Sequence, residues 1–259
     1  MASCKTSLAL GTVLLLGACA GRSDRLTEGE GTPARGIRVA GAALAGGLPE
    51  AALNATQSVL SRDPANVEAL LQQAEALTAL GRDDAAAEAY RRVLAKDASP
   101  NREQARAARA GAGRADLAAG RATEAQAIYA ALVAASPSDP VGHNGLAIAY
   151  DQQGKHQEAQ AEYRKALAQA DTSATRSNLG LSLAMSGNTA DALALLRPLA
   201  AEASATPRIR HNLAFALELA GQREEAKRAL AADLPREQVA VALAGFDAFR
   251  SAPVLAGKP

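Results

Sequence analysis

The sequence predicts an all-α protein built as a solenoid of helix–turn–helix hairpins, and three observations lead to this prediction. Glycines recur at nearly constant spacings of 39, 34, 33 and 34 residues: Gly81, Gly120, Gly154, Gly187 and Gly221. Small and bulky apolar residues return at fixed distances from each of them. The composition is 48% hydrophobic but only 3% aromatic, and alanine, the best helix former, supplies much of the apolar fraction. A single large globular core would need more Leu, Ile and Phe, so stacked hairpins fit better.

One complete hairpin is visible between Gly145 and Leu167. Apolar residues fall on one face of each of its two helices: Leu146, Ala147 and Tyr150, then Ala159, Tyr163, Ala166 and Leu167. Gly154 stands where the first helix must end, because glycine adopts the left-handed conformation without a steric penalty. Neither helix can bury its apolar face alone, so the hairpin needs neighbours of its own kind.

Three further positions repeat together with the glycines. Seven residues before each glycine lies a small residue: Ala74, Gly113, Ala147, Gly180 and Ala214. Five residues after it lies an alanine: Ala86, Ala125, Ala159, Ala192 and Ala226. Nine residues after it lies a bulky apolar residue: Tyr90, Tyr129, Tyr163, Leu196 and Leu230. This order and period resemble the tetratricopeptide repeat (TPR), a 34-residue helix–turn–helix unit, over roughly residues 34–230.

The resemblance implies a right-handed superhelix whose first helices line a concave groove. A sixth, degenerate unit is predicted ahead of the five, with Gly47 at its turn, Ala52 at its close-packing site and Pro64 at its end. The solenoid is thus expected to span residues 34–232. The alternative is an unrelated alanine-rich helical bundle, which would have no reason to keep a 34-residue register.

Several local features refine this prediction. Asp83 and Asp84 begin a second helix, where their charge complements the helix dipole rather than forming an acid–base pair. Five extra residues in the junction between Lys96 and Ala105 are expected to cap or extend the next helix. Pro198 lies late in a second helix and is expected to kink it or end it.

After Leu230 the period stops, and residues 233–250 predict a C-terminal capping helix that begins at Pro235. Its apolar face comprises Val239, Ala242, Leu243, Phe246 and Phe249. A solenoid requires such a cover over its last repeat for solubility. Residues 251–259 are expected to be disordered.

The N-terminus has the features of a bacterial lipoprotein signal. After Lys5, about a dozen largely apolar residues, too few to span a bilayer, lead to Leu16-Gly17-Ala18-Cys19, which resembles a lipobox. Residues 1–18 would be removed, Cys19 would carry the lipid, and residues 19–33 would form a flexible tether. Ala20 follows the cysteine where an aspartate would indicate the inner membrane, so the resemblance implies the periplasmic face of the outer membrane. The alternative is an ordinary signal peptide or an incidental cysteine.

A partner-binding groove is predicted on the first helices of the last three repeats. Apolar and polar side chains occupy the positions that face the groove in TPR stacks: Asn144, Ile148, Asn178, Leu181, Met185, His211, Asn212 and Phe215. Apolar rows beside amides suit an extended or helical peptide, since the apolar pockets accept its side chains and the amides bond its backbone. Alternatively, the row of Ile148, Leu181 and Phe215 packs against the neighbouring repeat.

Other classes of function find little support in the sequence. The net charge is +1 with the signs mixed along the chain, so no nucleic-acid partner is expected. The three histidines are scattered, and no metal-ligand, phosphate-loop or nucleophile-elbow motif occurs. We therefore expect no enzymatic activity, cofactor, metal or small-molecule substrate.

Most of the mature chain is similar to the TadD family, TPR lipoproteins of Flp (tight adherence) pilus assembly, and the motifs specific to that family occupy its last third. The matching residues are Asn212-Leu213-Ala214, Gly221, Glu225-Ala226 and Asp233-Leu234-Pro235, followed by Glu237 and Val239. The family's asparagine in the final helix is replaced by Ala242. The resemblance implies assembly or placement of the outer-membrane secretin through protein contacts, without catalysis. A type IV pilus TPR pilotin and a periplasmic scaffold for envelope proteins are the alternatives.

Overall fold

The computed structural model describes residues 32–95 and 101–250, and within these ranges it contains thirteen α-helices and no strand. Twelve helices form six consecutive hairpins: α1 Pro33–Ala45 and α2 Pro49–Leu60; α3 Val67–Ala79 and α4 Asp83–Val93; α5 Arg102–Ala118 and α6 Ala122–Ala135; α7 Pro140–Gln152 and α8 His156–Gln169; α9 Ser173–Met185 and α10 Thr189–Ala201; α11 Pro207–Leu219 and α12 Arg223–Ala231. The last helix, α13, spans Arg236–Arg250. The predicted all-α repeat solenoid is confirmed.

All six predicted turn glycines adopt the left-handed conformation, with φ between 66° and 90°: Gly47, Gly81, Gly120, Gly154, Gly187 and Gly221. In each turn the N–H after the glycine donates to the carbonyl five residues earlier, at 2.8–2.9 Å, as Lys155 donates to Tyr150. This bond closes a Schellman motif, which satisfies carbonyls that the ending helix leaves open. The degenerate first repeat therefore has the same turn as the other five.

The repeated small residues let the two helices of each hairpin approach closely. The alanine five residues after each turn glycine has no exposed surface in any repeat: Ala52, Ala86, Ala125, Ala159, Ala192 and Ala226. The bulky residue four positions further on is buried in repeats two to six, from Tyr90 to Leu230. A Cβ added at Gly113 would lie 2.6 Å from the ring of Tyr129, and one at Gly180 would lie 2.6 Å from Leu196. The repeated positions in the sequence thus identify the side chains that pack together within each hairpin.

Two local predictions need correction. Of the two outcomes predicted for Pro198, the end of the helix is wrong: α10 continues to Ala201, because the missing N–H removes a single helical hydrogen bond and only the last turn follows. Helix α13 begins at Arg236, one residue after Pro235, whose carbonyl accepts the N–H of Val239. The predicted extension of the third repeat is confirmed, since α5 has 17 residues and starts with a capping box formed by Asn101 and Gln104.

Helix α13 packs on the last hairpin. Val239 and Leu243 are buried in the same cluster as Leu217 and Leu230, and Phe246 packs against that cluster. The apolar face predicted for this helix therefore covers α11 and α12. None of the helices in residues 32–95 and 101–250 combines the length and apolar composition needed to cross a membrane. The predicted signal peptide, Cys19, nearly all of the tether and the C-terminal tail lie outside the described residues.

Candidate protein-binding face

The first helices of repeats three to six together form a groove of about 630 Å³, which we call the central groove. It runs over α5, α7, α9 and the start of α11, and its lining includes Arg114, Val141, Asn144, Ile148, Asn178 and Arg208. The repeats place these side chains on one face because each first helix presents the same positions of the 34-residue unit.

Tyr129 forms part of the floor of the central groove. Its ring comes from the second helix α6 and fits against Gly113 of α5 and Gly145 of α7, and its hydroxyl donates to the carbonyl of Ala110 at 3.2 Å. Burial raises the pKa of Tyr129 to about 12, against an opposing effect of the nearby Arg114 guanidinium. The phenol therefore stays neutral, and its buried ring forms a rigid part of the groove floor.

The predicted amides bond one another across repeats. Asn178 donates from Nδ2 to Oδ1 of Asn144 at 3.1 Å, between residues 34 positions apart. Asn212 donates to Oγ of Ser177 at 2.9 Å. Asn178 and Asn212 are both only 8% exposed, so their amides chiefly join successive first helices. Asn144 is half-buried, and its Nδ2 makes no hydrogen bond with a described residue, which leaves it free to bond a partner's backbone.

A second, smaller depression of about 360 Å³ lies towards the C-terminus, and we call it the C-terminal pocket. Leu181, Met185, His211, Asn212 and Phe215 line it, together with Leu230 of α12 and Ala242 and Phe246 of α13. Phe215 is 9% exposed, and its ring makes edge-to-face contacts with Phe246 at 5.1 Å and Phe249 at 5.0 Å between centroids. Helix α13 therefore covers most of this ring, while Leu181 and Met185 remain half-buried.

The eight predicted groove residues thus divide between two depressions. The central groove contains Asn144, Ile148 and Asn178, and the C-terminal pocket contains the other five. The prediction missed Arg114, Val141 and Arg208, although the signal was present. Arg114 lies 34 residues before Ile148 and shares its position in the unit, so extending that row by one repeat would have found it.

Two histidines, His143 and His156, serve as structural contacts between and within repeats. His143 is 5% exposed and places its ring nitrogens 2.6 Å from a Glu162 oxygen and 2.9 Å from the Pro137 carbonyl. His156 and Ser182 both bond the same oxygen of Asp151, so the carboxylate lies between them. In a nucleophile–base pair the histidine would bond the serine hydroxyl directly. Within residues 32–95 and 101–250, no three potential ligands cluster as a metal site.

Comparison with protein families bears on the repeats directly. Three family models, each described as a tetratricopeptide repeat, match residues 40–110, residues 116–178, and residues 173–198 with 207–232. The chain belongs to the tetratricopeptide repeat family. TPR proteins generally act as non-catalytic scaffolds that bind other proteins. A search of curated protein sequences finds no match to this TPR protein.

Solved structures show the same fold. A tetratricopeptide repeat protein from Parabacteroides merdae ATCC 43184 is 16% identical with a TM-score of 0.70, over 85% of this chain and 86% of that one. The pilF protein of Pseudomonas aeruginosa is 17% identical with a TM-score of 0.61, over 83% and 96%. A thermophilic TPR protein from Thermus thermophilus is 21% identical with a TM-score of 0.53, over 82% and 100%. At these identities the likeness shows the fold alone.

Proposed function

We propose that this TPR protein is an outer-membrane lipoprotein that acts as a scaffold in the assembly of Flp pili, and that its first-helix face binds a polypeptide of the assembly machinery. The observation that carries the binding part of the proposal is the central groove. It is about 630 Å³ in volume, its side chain Val141 is 44% exposed, and Asn144 offers a free amide beside it. Exposed apolar surface beside hydrogen-bonding groups is typical of peptide-binding sites.

The lipid anchor is supported by the Leu16-Gly17-Ala18-Cys19 segment, and the pilus role by the TadD-like residues around Asp233-Leu234-Pro235. In the structure Asp233 accepts two hydrogen bonds from Arg210, at 2.7 and 2.5 Å, so this segment ties the start of α11 to the entry into α13. A type IV pilus pilotin and a general periplasmic scaffold remain the alternatives. The similarity to the pilF protein is compatible with the first of these.

The pilus role is tested by deleting the gene and fractionating the outer membrane. We expect the deletion strain to lose adherent Flp pili and to mislocalise the secretin, because no scaffold would place it. Unchanged piliation and secretin location in the deletion strain would refute the role. Loss of type IV pili in place of Flp pili would favour the pilotin alternative.

The groove is tested by complementing the deletion with a Val141→Ser/Leu181→Ser variant. Val141 lines the central groove and Leu181 lines the C-terminal pocket, each with part of its surface open, so the substitutions remove apolar contacts for a partner. The matched control is Val241→Ser, which changes a 73% exposed valine on the outer side of α13. We expect only the control to restore pili. Phe215 is less suitable, since α13 packs on it.

The anchor is tested with Cys19→Ser. We expect the wild-type protein in the outer-membrane fraction with incorporated radioactive palmitate, and the variant as unlabelled protein outside that fraction, because stable anchoring depends on the acyl chains. A wild-type protein that stays soluble in a host able to process lipoproteins would contradict the anchor.

A further inference from the structure

The charged side chains that line the central groove are all of one sign. They are Arg114 on α5 and Arg208 on α11, and none of the described Asp or Glu residues lines the groove. Both arginines are exposed, and neither makes a hydrogen bond or ion pair with a described residue. Their neighbours on the same helices differ: Arg106 is paired with Asp139 at 2.5 and 2.9 Å, and Arg210 is paired with Asp233. The groove cations thus lack, among the described residues, the acidic partners that other arginines have.

Between the two arginines the lining is uncharged: the part on α7 is largely apolar, and α9 adds Ser173, Ala174, Ser177 and Asn178. Val141 and Ile148 of α7 lie there, with Leu117 of α5 near one end and Ile209 of α11 near the other. The free Nδ2 of Asn144 stands beside them and can donate to a carbonyl. The axes of packed helices lie about 8–10 Å apart, so the three steps from α5 through α7 and α9 to α11 add up to on the order of 27 Å. An extended chain spans that distance with about eight residues.

Building on the proposed function, we propose that the central groove binds an extended acidic segment of a partner polypeptide, with carboxylates at both ends of a short apolar stretch. Arg114 and Arg208 pair with the carboxylates, Val141 and Ile148 contact the apolar side chains, and Asn144 bonds the backbone. A guanidinium recognises a carboxylate through paired N–H donors, and unpaired cations in a cleft attract anions. A nucleic acid fits less well, because the two arginines are separated by uncharged residues and do not form a row.

The test uses the mature chain carrying Cys19→Ser, so that it is soluble, and two pooled libraries of ten-residue peptides. In one library both ends carry two glutamates, and the central six positions vary among Ala, Val, Leu, Ile and Ser. In the other, lysine replaces every glutamate. We expect retention of the acidic library only, with affinities that fall as salt rises from 50 to 500 mM, since screening weakens exposed ion pairs.

The best acidic peptide, labelled with fluorescein, is then measured by anisotropy against variants. Arg114→Gln and Arg208→Gln should each weaken binding about 2- to 5-fold, and together about 10-fold at low salt. The double charge reversal, Arg114→Glu with Arg208→Glu, should shift the preference to the lysine library. The matched control is Arg164→Gln, an exposed arginine on α8 outside the groove, which should leave binding unchanged.

Several outcomes would overturn this inference: equal binding of the two libraries, no binding of either, or unchanged affinity in the double glutamine variant. The acidic residues of the chain's own tether, Asp24, Glu28 and Glu30, could also occupy the groove. In that case removing residues 20–31 would strengthen acidic-peptide binding several-fold, and the intramolecular occupant would replace the partner. If the deletion strain loses pili but neither library binds, the proposed function stands and this inference fails. If the acidic peptides bind through the arginines but the deletion strain keeps its pili, this inference stands and the proposed function fails.

Discussion

Tyr129 shows how single residues set the spacing of three helices. Its ring lies against the glycines of two first helices, Gly113 and Gly145, where any Cβ would collide with it. The ring is 4% exposed, and its hydroxyl is bonded to the Ala110 carbonyl. A tyrosine therefore takes the space that two side chains would otherwise fill, and α5 and α7 approach each other closely.

Substituting one of these glycines should cost stability even though alanine is the better helix former. We expect Gly145→Ala to lower the free energy of unfolding by about 1–3 kcal/mol, because the new methyl group must displace Tyr129. Gly245→Ala is the matched control, since a Cβ there meets nothing within 4 Å, and it should add about 0.5–1 kcal/mol. Urea unfolding of both variants measures the difference. Equal effects would show that the ring does not limit the approach.

Among the helices, the contact between α5 and α7 depends on an ion pair across one repeat. Asp139 accepts from Arg106 of α5 and from the backbone N–H of Val141 at the start of α7, at 2.9 Å. Burial alone would raise the pKa of Asp139, but the hydrogen bonds from Arg106 and the backbone outweigh it and hold the pKa below its ordinary value. The ionised carboxylate therefore stabilises the fold.

This pair should make stability depend on pH in the acid range. A lowered folded-state pKa adds stability that is fully present above the unfolded value of about 4 and is lost as the pH falls through the folded value. Asp139→Asn keeps a capping side chain but loses the charge. We expect it to cost about 1 kcal/mol at pH 7 and progressively less as the pH falls below 4. Arg106→Gln should cost as much, and the double variant no more; additive losses would argue against the pair.

Helix α13 should stabilise the last hairpin through its aromatic contacts. We expect Phe246→Ala to lower the stability of α11 and α12 by about 2 kcal/mol, through lost apolar burial and the lost edge-to-face contact with Phe215. Val241→Ser, on the exposed side of the same helix, should change stability by less than about 0.5 kcal/mol. Amide hydrogen exchange in α11 and α12 provides the measurement. Equal protection in both variants would mean that α13 does not act as a cover.

Over the whole molecule the buried apolar residues are distributed unevenly. The cluster shared by the first hairpin and α3 has only alanines as its buried members: Ala40, Ala43, Ala52 and Ala76. The largest cluster extends from Ala147 of α7 to Leu243 of α13 and contains eight buried leucines. Because each repeat contacts mainly its neighbours, stability in a solenoid is local, and its ends need not open together.

We therefore expect amides of α1 to exchange fastest and those of α9 to α11 slowest. Leu217→Ala, which removes a side chain only 2% exposed, should destabilise its cluster by about 2–5 kcal/mol. It should speed exchange in α9 to α13 while leaving α1 to α4 unchanged. Mass-spectrometric hydrogen exchange on both proteins tests this. A uniform increase over all repeats would show that the solenoid opens as one unit.

Much of the fold could be predicted because its determinants are local. A glycine at a helix end, an alanine five residues later and a bulky residue nine residues later act within a single hairpin, and this pattern predicted five turns; Pro64 and Ala52 indicated the sixth, at Gly47. The groove was predicted only in part. Asn178 and Asn212 were assigned to a partner's backbone, but both bond residues of the preceding repeat. Such bonds join positions 34 and 35 residues apart, which no single unit reveals.

The sequence by itself determined the repeat, its turns and the faces of its helices, since glycine geometry and helical periodicity act over a few residues. Only the tertiary structure decided which groups on those faces stay open to contact with a partner. Arg106 and Arg114 lie on the same helix, yet stacking brings an aspartate to the first and leaves the second open at the groove. Phe215 occupies a groove position, yet α13 covers it. Pairing and covering depend on residues that meet only when the repeats stack, because that stacking sets the distances between their charges and rings.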